Sequence, residues 1–519
     1  MPPSTINNRR IAKNTLFLYI RMGISMLVSL YTSRVVLQTL GVEDYGIYGV
    51  VGGVVSMFGF INSSMAGATS RFLTYELGRG GKERLRRTFS MAFYEHCLIA
   101  LLLLIICESL GIWFLNNKLV IPEDRVTAAN WVFQLSVLSM IVGVTQVPYN
   151  ASIISHEKMD VYAYVEVVNV GLRLLIVYLL KVVLFDKLFL YALLVFSVTT
   201  AIALYYRYYC VKHFPECHLQ LTWDTLLMRQ MLSFSGWDLY GNMSVMARTQ
   251  GVNMLLNMFF GPAMNAAASI ATHVQGIVGS FATNVLTAVK PPIIKYYAQG
   301  SYNEMVRLIS NSIRLNYLIL LFFTVPLILE MDYVLKLWLG VVPSYCAEFC
   351  SLTLLFNFYG NMSSVLITGV HATGKIWRPS LINGTLYLMV IPLSYIVFRR
   401  GGIAWFPFAF NILSVVCGML SNAYTLHLYI REFSFKKFIV CDLVSCVFVF
   451  CCSIIICGWL QRFVGEGFFR LLYIYVLSTT TLLFLGYFFL IPRSLSAQIV
   501  SRIKAIYANR FSKSNNSLL

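Results

Sequence analysis

Four arginines occur inside apolar stretches of the sequence that are long enough to cross a lipid bilayer. They are Arg21, Arg34, Arg173 and Arg248. An arginine at the centre of a membrane helix costs roughly 2.5–3.5 kcal/mol on insertion scales, and such residues usually mark the pathway of an ion or a substrate. Their presence predicts a transporter that holds an anionic group part of the way across the membrane.

The composition is that of a protein built mostly from membrane-spanning segments. Of the 519 residues, 58 % are hydrophobic and 12 % are charged, whereas soluble domains are about 45–50 % apolar and about 25 % charged. The net charge of +18 does not indicate a nucleic-acid-binding protein. The basic residues alternate with apolar runs instead of forming one patch, and this pattern is typical of membrane-topology signals.

Fourteen apolar runs reach the roughly 20 residues that a helix needs to span about 30 Å of hydrocarbon. The sequence therefore predicts an all-α polytopic membrane protein with fourteen transmembrane helices, which we number as predicted spans 1 to 14. Their approximate bounds are 14–39, 45–69, 88–114, 128–151, 161–183, 188–210, 233–259, 263–289, 310–331, 347–370, 379–398, 403–426, 438–460 and 468–491.

The distribution of lysine and arginine predicts the orientation of these spans. Most basic residues fall in alternate segments, among them 71–87, 290–314, 431–437 and 493–513. Positive loops stay in the cytoplasm, so both termini are predicted to be cytoplasmic. No hydrophilic segment is long enough to form a folded extramembrane domain, which argues against a membrane polymerase or ligase of lipid-linked glycans.

The sequence also repeats weakly at an offset of 220 residues. Six predicted spans separate the two copies, so both copies run in the same direction, and parallel repeats of this kind form two lobes around an axis along the membrane normal. We predict lobes of six helices at 1–225 and 226–432, an appended helix pair at 433–491 and a basic cytoplasmic tail at 492–519. The matched pairs are Gly41 and Gly261, Gly59 and Gly279, Gly80 and Gly300, Arg87 and Arg307, and Ser90 and Ser310.

Polar side chains follow helical spacing in predicted spans 1, 2, 7 and 8. In lipid such groups would lack hydrogen-bond partners, so we expect these faces to line a wet cavity. The serine and threonine positions have an alternative interpretation as helix–helix contacts. The candidate substrate-binding residues are Arg21, Arg34, Arg71, Arg173, Arg248, Asp238, Asn242, Asn62 and His273.

Some of these arginines also have a structural interpretation. Glu166 lies seven residues before Arg173 on the same helix face, so the two could form an ion pair. Arg21 and Arg34 could extend towards the membrane interfaces. Arg248 has Asp238 ten residues away on the same span, which is a poor spacing for neutralisation.

The sequence lacks the common catalytic and cofactor-binding motifs. The stretch from His156 to Asp160 resembles the beginning of a zinc motif, but the second histidine is missing at the required spacing. No phosphate-binding Walker sequence is present, so we expect no ATP hydrolysis by this chain. We predict no catalytic residue, no metal ion and no cofactor.

The stretch from residue 34 to residue 71 (RVVLQTLGVEDYGIYGVVGGVVSMFGFINSSMAGATSR) resembles the beginning of bacterial polysaccharide flippases. These belong to the multidrug/oligosaccharidyl-lipid/polysaccharide exporter superfamily. Their first loop reads Leu-Gly-x-x-x-Tyr-Gly, which Leu40, Gly41, Tyr45 and Gly46 match. Residues 70–87 and 276–307 also resemble segments of that family.

This resemblance implies a MATE-like fold in which predicted spans 1, 2, 7 and 8 line a cationic cavity with alternating access. It implies a flippase that moves undecaprenyl-diphosphate-linked repeat units to the outer leaflet of the bacterial inner membrane for O-antigen (lipopolysaccharide) or capsule biosynthesis. The expected partners are this lipid-linked oligosaccharide, membrane lipids and other glycan-assembly membrane proteins. The alternatives are a cation-coupled multidrug exporter of the same superfamily and, third, a glycan polymerase or ligase.

Overall fold

A computed structural model describes residues 8–56, 59–117, 121–182, 186–340 and 342–490 of the chain. These residues form fifteen α-helices joined by short turns. Two of the helices, α3 and α14, contain wider π-helical turns at Cys107–Gly111 and Phe438–Val444. The helices are α1 (Asn8–Ser56), α2 (Gly59–Arg79), α3 (Lys82–Asn117), α4 (Val126–Ser155), α5 (Met159–Val182), α6 (Lys187–His213), α7 (Thr225–Phe260), α8 (Pro262–Ala298), α9 (Tyr302–Leu329), α10 (Met331–Leu339), α11 (Cys346–Thr373), α12 (Trp377–Arg399), α13 (Phe406–Tyr429), α14 (Phe435–Gln461) and α15 (Phe468–Phe489).

Within these described ranges, eleven helices are long and apolar enough to cross a membrane. This confirms an all-α membrane protein and eleven of the fourteen predicted spans. The other three also fall on helices: predicted span 1 lies in α1, predicted span 2 covers the last part of α1 and the first part of α2, and predicted span 7 lies in α7.

Two of the three glycine pairs matched by the internal repeat adopt the same unusual backbone conformation. Gly41 and Gly261 have φ values of 83° and 82°, and Gly80 and Gly300 have φ values of 78° and 74°. Positive φ is accessible to glycine at little cost, which explains why glycine occupies both members of each pair. At Gly41 the backbone leaves the helical conformation, with φ 83° and ψ 168°, so α1 consists of two helical segments that meet at this residue, inside the predicted loop at 40–44.

The chain divides into two compact units whose segments interleave along the sequence. Unit 1 contains residues 1–247, 287–301 and 370–385, and unit 2 contains residues 248–286, 302–369 and 386–519. The predicted lobes at 1–225 and 226–432 stay a prediction.

Unit 1 has an apolar core in which α1, α3, α4 and α6 pack together. Val51, Phe133 and Leu188 from three of these helices are fully buried in one cluster. Gly111 lies against the ring of Phe133, because a Cβ atom at Gly111 would lie 2.6 Å from the ring carbon Cζ. The glycine at the end of the π-helical turn therefore makes room for a buried phenylalanine.

Unit 2 joins α14 and α15 to the preceding helices through buried charge pairs. The first pair joins α9 to α14, where Arg314 Nε donates to Asp442 Oδ1 at 2.7 Å. The second pair holds α15, where Arg470 Nη2 donates to Oε2 of Glu330 at 2.9 Å, and the Glu330 side chain is fully buried. Removing one partner of such a pair leaves an unpaired buried charge, so these contacts fix the position of the two C-terminal helices.

Candidate functional site

Arg248 is a buried cation in unit 2 that lies between aromatic rings. The residue is 8 % exposed. Its guanidinium carbon lies 4.5 Å from the ring centre of Tyr387 and 4.9 Å from that of Phe356. Helix α7 positions the arginine, and α11 and α12 supply the two rings. Such cation–π contacts hold a guanidinium group without neutralising its charge.

The Arg248 guanidinium has donors without partners. Its Nε and Nη1 atoms are buried and make no hydrogen bond to any part of the chain that the structure describes. Within the same ranges no carboxylate forms an ion pair with it. A buried charge without a counterion is costly, so Arg248 is a candidate for binding an anionic group.

Asp238 and Asn242 lie one turn apart on α7, in unit 1, and are joined to α2. Asn242 Nδ2 donates to Ser64 Oγ at 2.9 Å and to the backbone oxygen of Asp238 at 3.0 Å. Asp238 Oδ2 lies 3.3 Å from the same amide nitrogen. A Cβ atom at Gly67 would lie 3.3 Å from this carboxylate oxygen, so the small residue on α2 permits the close approach.

The Asp238 carboxylate is surrounded by positive or potentially positive groups. His371 Nε2 on α11 lies 3.9 Å from Asp238 Oδ1. Lys290 on α8 is close enough to interact electrostatically with the same carboxylate. Lys290 is therefore the cation of the same unit that lies near Asp238, and His371 adds a buried imidazole at its edge.

Arg71, at the C-terminal part of α2, is held by carbonyl groups and aromatic rings. Its Nε donates to the backbone oxygen of His371 and its Nη2 to that of Ala372, each at 3.1 Å. Burial lowers the pKa of Arg71 to about 10, which leaves the residue charged at neutral pH. The rings within 6 Å of its guanidinium belong to Phe72, Tyr75 and Phe234.

Two other predicted arginines also lie in unit 1 and differ in exposure. Arg21 is half-buried, with its guanidinium 4.6 Å from the ring centre of Tyr162 and its buried Nε without a hydrogen-bond partner among the described residues. Arg173 is exposed, and its Nε lies 3.5 Å from Asn169 Oδ1. The ion pair considered between Arg173 and Glu166 is not formed in the described part of the chain, so that interpretation is wrong.

The remaining predicted residues do not join these groups. His273 is exposed on α8 in unit 2. Arg34 and Asn62 lie on α1 and α2, but their side chains lie outside the described residues. The structure thus brings together Arg71, Asp238 and Asn242 in unit 1, linked through His371, and holds Arg248 in unit 2.

Three titratable residues that the sequence did not mark as functional are buried or half-buried in the structure. Lys290 and His371 fall just beyond predicted spans 8 and 10 and were therefore assigned to loops. Lys295, also on α8, makes an ion pair with Glu157 through an Nζ–Oε1 distance of 2.7 Å. The helical pattern continues past the ends of predicted spans 8 and 10. This continuation was the one sign in the sequence that these residues lie on helices and not in loops.

No group of three or more His, Cys, Asp or Glu side chains in the described ranges is arranged to hold a metal ion. The zinc-like stretch has a packing role instead. His156 Nε2 contacts Glu216 Oε1 at 2.5 Å, and its ring stacks on Phe214 at a centroid distance of 4.1 Å.

Comparison with known sequences gives one distant relative. No protein-family model matches the chain. The chain is 20 % identical over 325 residues to the uncharacterized membrane protein EpsK of Bacillus subtilis (strain 168), and the aligned part covers 62 % of this chain. The chain spans 63 % of the length of that relative.

Comparison with solved structures identifies the fold. A MOP superfamily transporter from Pyrococcus furiosus, whose binding pocket is described as having a reverse polarity that suggests a different function, matches with a TM-score of 0.68 at 13 % identity over 82 % of this chain and 96 % of its own. An outward-facing multidrug resistance MATE family transporter matches with a TM-score of 0.66 at 14 % identity, over 81 % and 94 %. A MATE structure in a bent conformation gives 0.69 at 13 % identity, over 83 % and 96 %. The chain therefore has a MATE-like fold, as the resemblance in the sequence implied.

Proposed function

We propose that this protein is a transporter that moves a phosphate-bearing, lipid-linked oligosaccharide from the inner to the outer leaflet of a bacterial cytoplasmic membrane. The fold supports transport because the solved structures that it resembles are transporters of the MOP superfamily. The absence of catalytic motifs from the sequence agrees with a function other than that of an enzyme. Both termini would be cytoplasmic.

The observation that carries the proposal is the environment of Arg248. A buried guanidinium with two unused donors and no carboxylate partner in the described chain would be satisfied by an anion, which supports an anionic cargo. Phosphate oxygens accept charge-assisted hydrogen bonds, which are roughly twice as strong as neutral ones. A diphosphate linkage supplies such oxygens, and the prenyl chain attached to it would stay in the lipid.

The remaining predicted arginines would support the same step. Arg21 and Arg71 add positive charge in unit 1, and each is held by aromatic rings. Because these cations are fixed by packing, their side chains need little reorganisation when an anionic headgroup arrives. Membrane lipids and other glycan-assembly membrane proteins would be the partners.

A cation-coupled multidrug exporter is the second candidate function. Two structures of similar fold are described as MATE transporters, and Asp238 supplies a carboxylate on α7. That carboxylate already lies close to Lys290 and His371, so a cationic drug would have to displace a cation of the protein. A buried unpaired arginine also disfavours a cationic cargo. A glycan polymerase or ligase is a third candidate.

The test uses a strain from which the gene for this chain is deleted. Re-expression of the native protein should restore surface polysaccharide, and Arg248→Gln should not, although the variant is present in the membrane at the native level. Arg248→Lys should restore part of the surface polysaccharide, because lysine keeps the positive charge but lacks the planar guanidinium that donates two parallel hydrogen bonds to a phosphate. Arg400→Gln, at an exposed position, is the matched control.

Normal polysaccharide from Arg248→Gln would remove the basis of the proposal. A deletion strain with normal polysaccharide and increased drug susceptibility would favour the multidrug exporter instead. Accumulation of lipid-linked repeat units that had crossed the membrane but were not extended would favour the polymerase.

A further inference from the structure

Unit 1 contains a cavity of about 590 Å³, and Arg71 forms part of its wall. Its walls come from the C-terminal part of α2, the first turns of α7 and the turn between α11 and α12. All the lining residues belong to unit 1. The volume lies within the range of roughly 300–1,000 Å³ that is typical of ligand sites.

The cavity is lined by cations and by no acidic residue. Arg71, Arg229 and Lys375 contribute to its wall, and no Asp or Glu is among the residues that line it. Arg71 is 7 % exposed and uses Nε and Nη2 to bind backbone carbonyls. Its Nη1 has no hydrogen bond to the described residues, so one donor of a fixed, buried guanidinium is available to a ligand.

The position of Arg71 depends on a glycine in the same wall. Gly374 has a φ of 80°, and a Cβ atom there would lie 2.6 Å from Arg71 Nη2. Position 374 therefore needs a glycine for two reasons: the positive φ is strained for other residues, and a side chain there would collide with Arg71. The α11–α12 turn is shaped to bring its carbonyl groups onto the arginine.

The rest of the wall is suited to a sugar ring. Trp237 and Trp377 place indole rings at the cavity, and Trp377 is half-exposed. Gln230 and Ser233 add an amide and a hydroxyl group. The apolar face of a pyranose packs on an aromatic ring, and its hydroxyl groups exchange hydrogen bonds with amides and hydroxyls. Cations beside aromatic rings thus match a ligand in which phosphate and sugar are adjacent.

The predicted orientation places this cavity on the cytoplasmic side. Its wall is built at the segments after predicted span 2, before span 7 and between spans 10 and 11. All three segments are assigned to the cytoplasm by the distribution of positive charge. A lipid-linked precursor assembled in the cytoplasm would reach this surface before it entered the membrane-spanning part of the protein.

We propose that this cavity is a cytoplasmic binding site for a glycosyl diphosphate, in which Arg71, Arg229 and Lys375 bind the phosphates and the two tryptophans pack against the first sugar. The role of this cavity as an entry site for transported cargo rests on the proposed function. The binding itself does not, because it concerns residues other than Arg248 and requires no transport.

Equilibrium binding to the purified full-length protein in lipid nanodiscs tests the site. One probe is a short-chain prenyl diphosphate that carries N-acetylglucosamine, and the other is the soluble nucleotide sugar UDP-N-acetylglucosamine. Arg71→Gln and Arg229→Gln should each weaken binding by about 10-fold or more, because each removes a charge-assisted hydrogen bond or a charge contact to phosphate. Trp377→Ala should weaken binding of either sugar probe but not of inorganic pyrophosphate.

Lys82→Gln is the matched control, since Lys82 is exposed on the same predicted face and does not line the cavity. Binding of the prenyl-linked probe alone supports a site supplied from the membrane, and binding of both probes supports a glycosyl diphosphate site open to the cytoplasm. Absence of binding of both probes to the native protein, or equal affinity in Arg71→Gln and the native protein, overturns the proposal. Arg248→Gln should keep native affinity in this assay, because Arg248 does not line the cavity. The binding site and the transport role of Arg248 can therefore fail independently of each other.

Discussion

Replacing Arg248 by methionine should stabilise the unliganded protein while it removes transport. Two buried donors without partners, Nε and Nη1, each cost about 1–3 kcal/mol. The two aromatic contacts at 4.5 and 4.9 Å return about 0.5–2 kcal/mol each. With the midpoints of these ranges, Arg248 lowers the stability of the unliganded protein by a net amount of about 1.5 kcal/mol. Methionine packs well against aromatic rings and avoids this penalty.

Thermal or denaturant unfolding in detergent, without substrate, measures this effect. The free energy of unfolding of Arg248→Met is expected to equal or exceed that of the native protein by up to about 1.5 kcal/mol. The control is Arg314→Met, whose arginine is paired with Asp442 at 2.7 Å. This second change should destabilise the protein by about 3–5 kcal/mol because it leaves Asp442 buried and unpaired.

A loss of about 2 kcal/mol or more in Arg248→Met, comparable with the loss in Arg314→Met, would show that Arg248 is a structural residue. Arg248 would then give no support to an anionic cargo. A gain in stability combined with a loss of transport is the signature of a residue kept for function at a cost in stability.

Two further predictions concern stability. Lys295→Met should lower the free energy of unfolding by about 1.5–3 kcal/mol, since it removes the charged hydrogen bond between the Lys295 ammonium and the Glu157 carboxylate, which is 4 % exposed. Adding Glu157→Gln should recover part of the loss in the same unfolding assay, and an equal loss in the single and double variants would contradict this account. Gly374→Ala should cost more than Gly80→Ala, because both glycines have φ near 80° but only the Cβ atom at 374 meets Arg71, whereas at Gly80 nothing lies within 4 Å. The Gly80 variant measures the backbone cost of about 1–2 kcal/mol by itself, and equal losses in the two variants would show that the contact with Arg71 has no energetic effect.

Hydropathy and glycine spacing were sufficient to predict much of the fold. The apolar runs gave helices at every predicted span, because the bilayer requires every backbone group to be paired within a helix. The repeat was readable at Gly41 and Gly261, since only glycine adopts their shared positive φ without strain. The same glycine marks the break between predicted spans 1 and 2, where the two helical segments of α1 meet at Gly41.

The charged contacts were harder to predict, for geometric reasons. Arg173 and Glu166 share a helix face, but seven residues separate them by about 10.5 Å along the axis, which is too far for an ion pair. Only residues three or four apart become neighbours on a helix surface. Pairs such as Glu330 with Arg470 join distant segments, and a single sequence gives no signal for them.

The boundaries of the predicted spans limited the search for functional residues. Lys290 lies one residue beyond predicted span 8, whereas α8 continues to Ala298. A hydropathy window detects where contact with lipid ends and does not detect where the helix ends. Lys290 was therefore treated as a loop cation, although it lies beside Asp238.

The central claim is that buried guanidinium groups serve an anionic, lipid-linked cargo. Its most direct test is the transfer of a fluorescent short-chain prenyl-diphosphate sugar between the leaflets of proteoliposomes that contain the purified protein. The native protein is expected to accelerate transfer of this probe but not of the same prenyl chain with a neutral sugar headgroup, and Arg248→Gln should slow transfer by about 10- to 150-fold. Equal transfer of the charged and neutral probes, or native rates in Arg248→Gln, would contradict it.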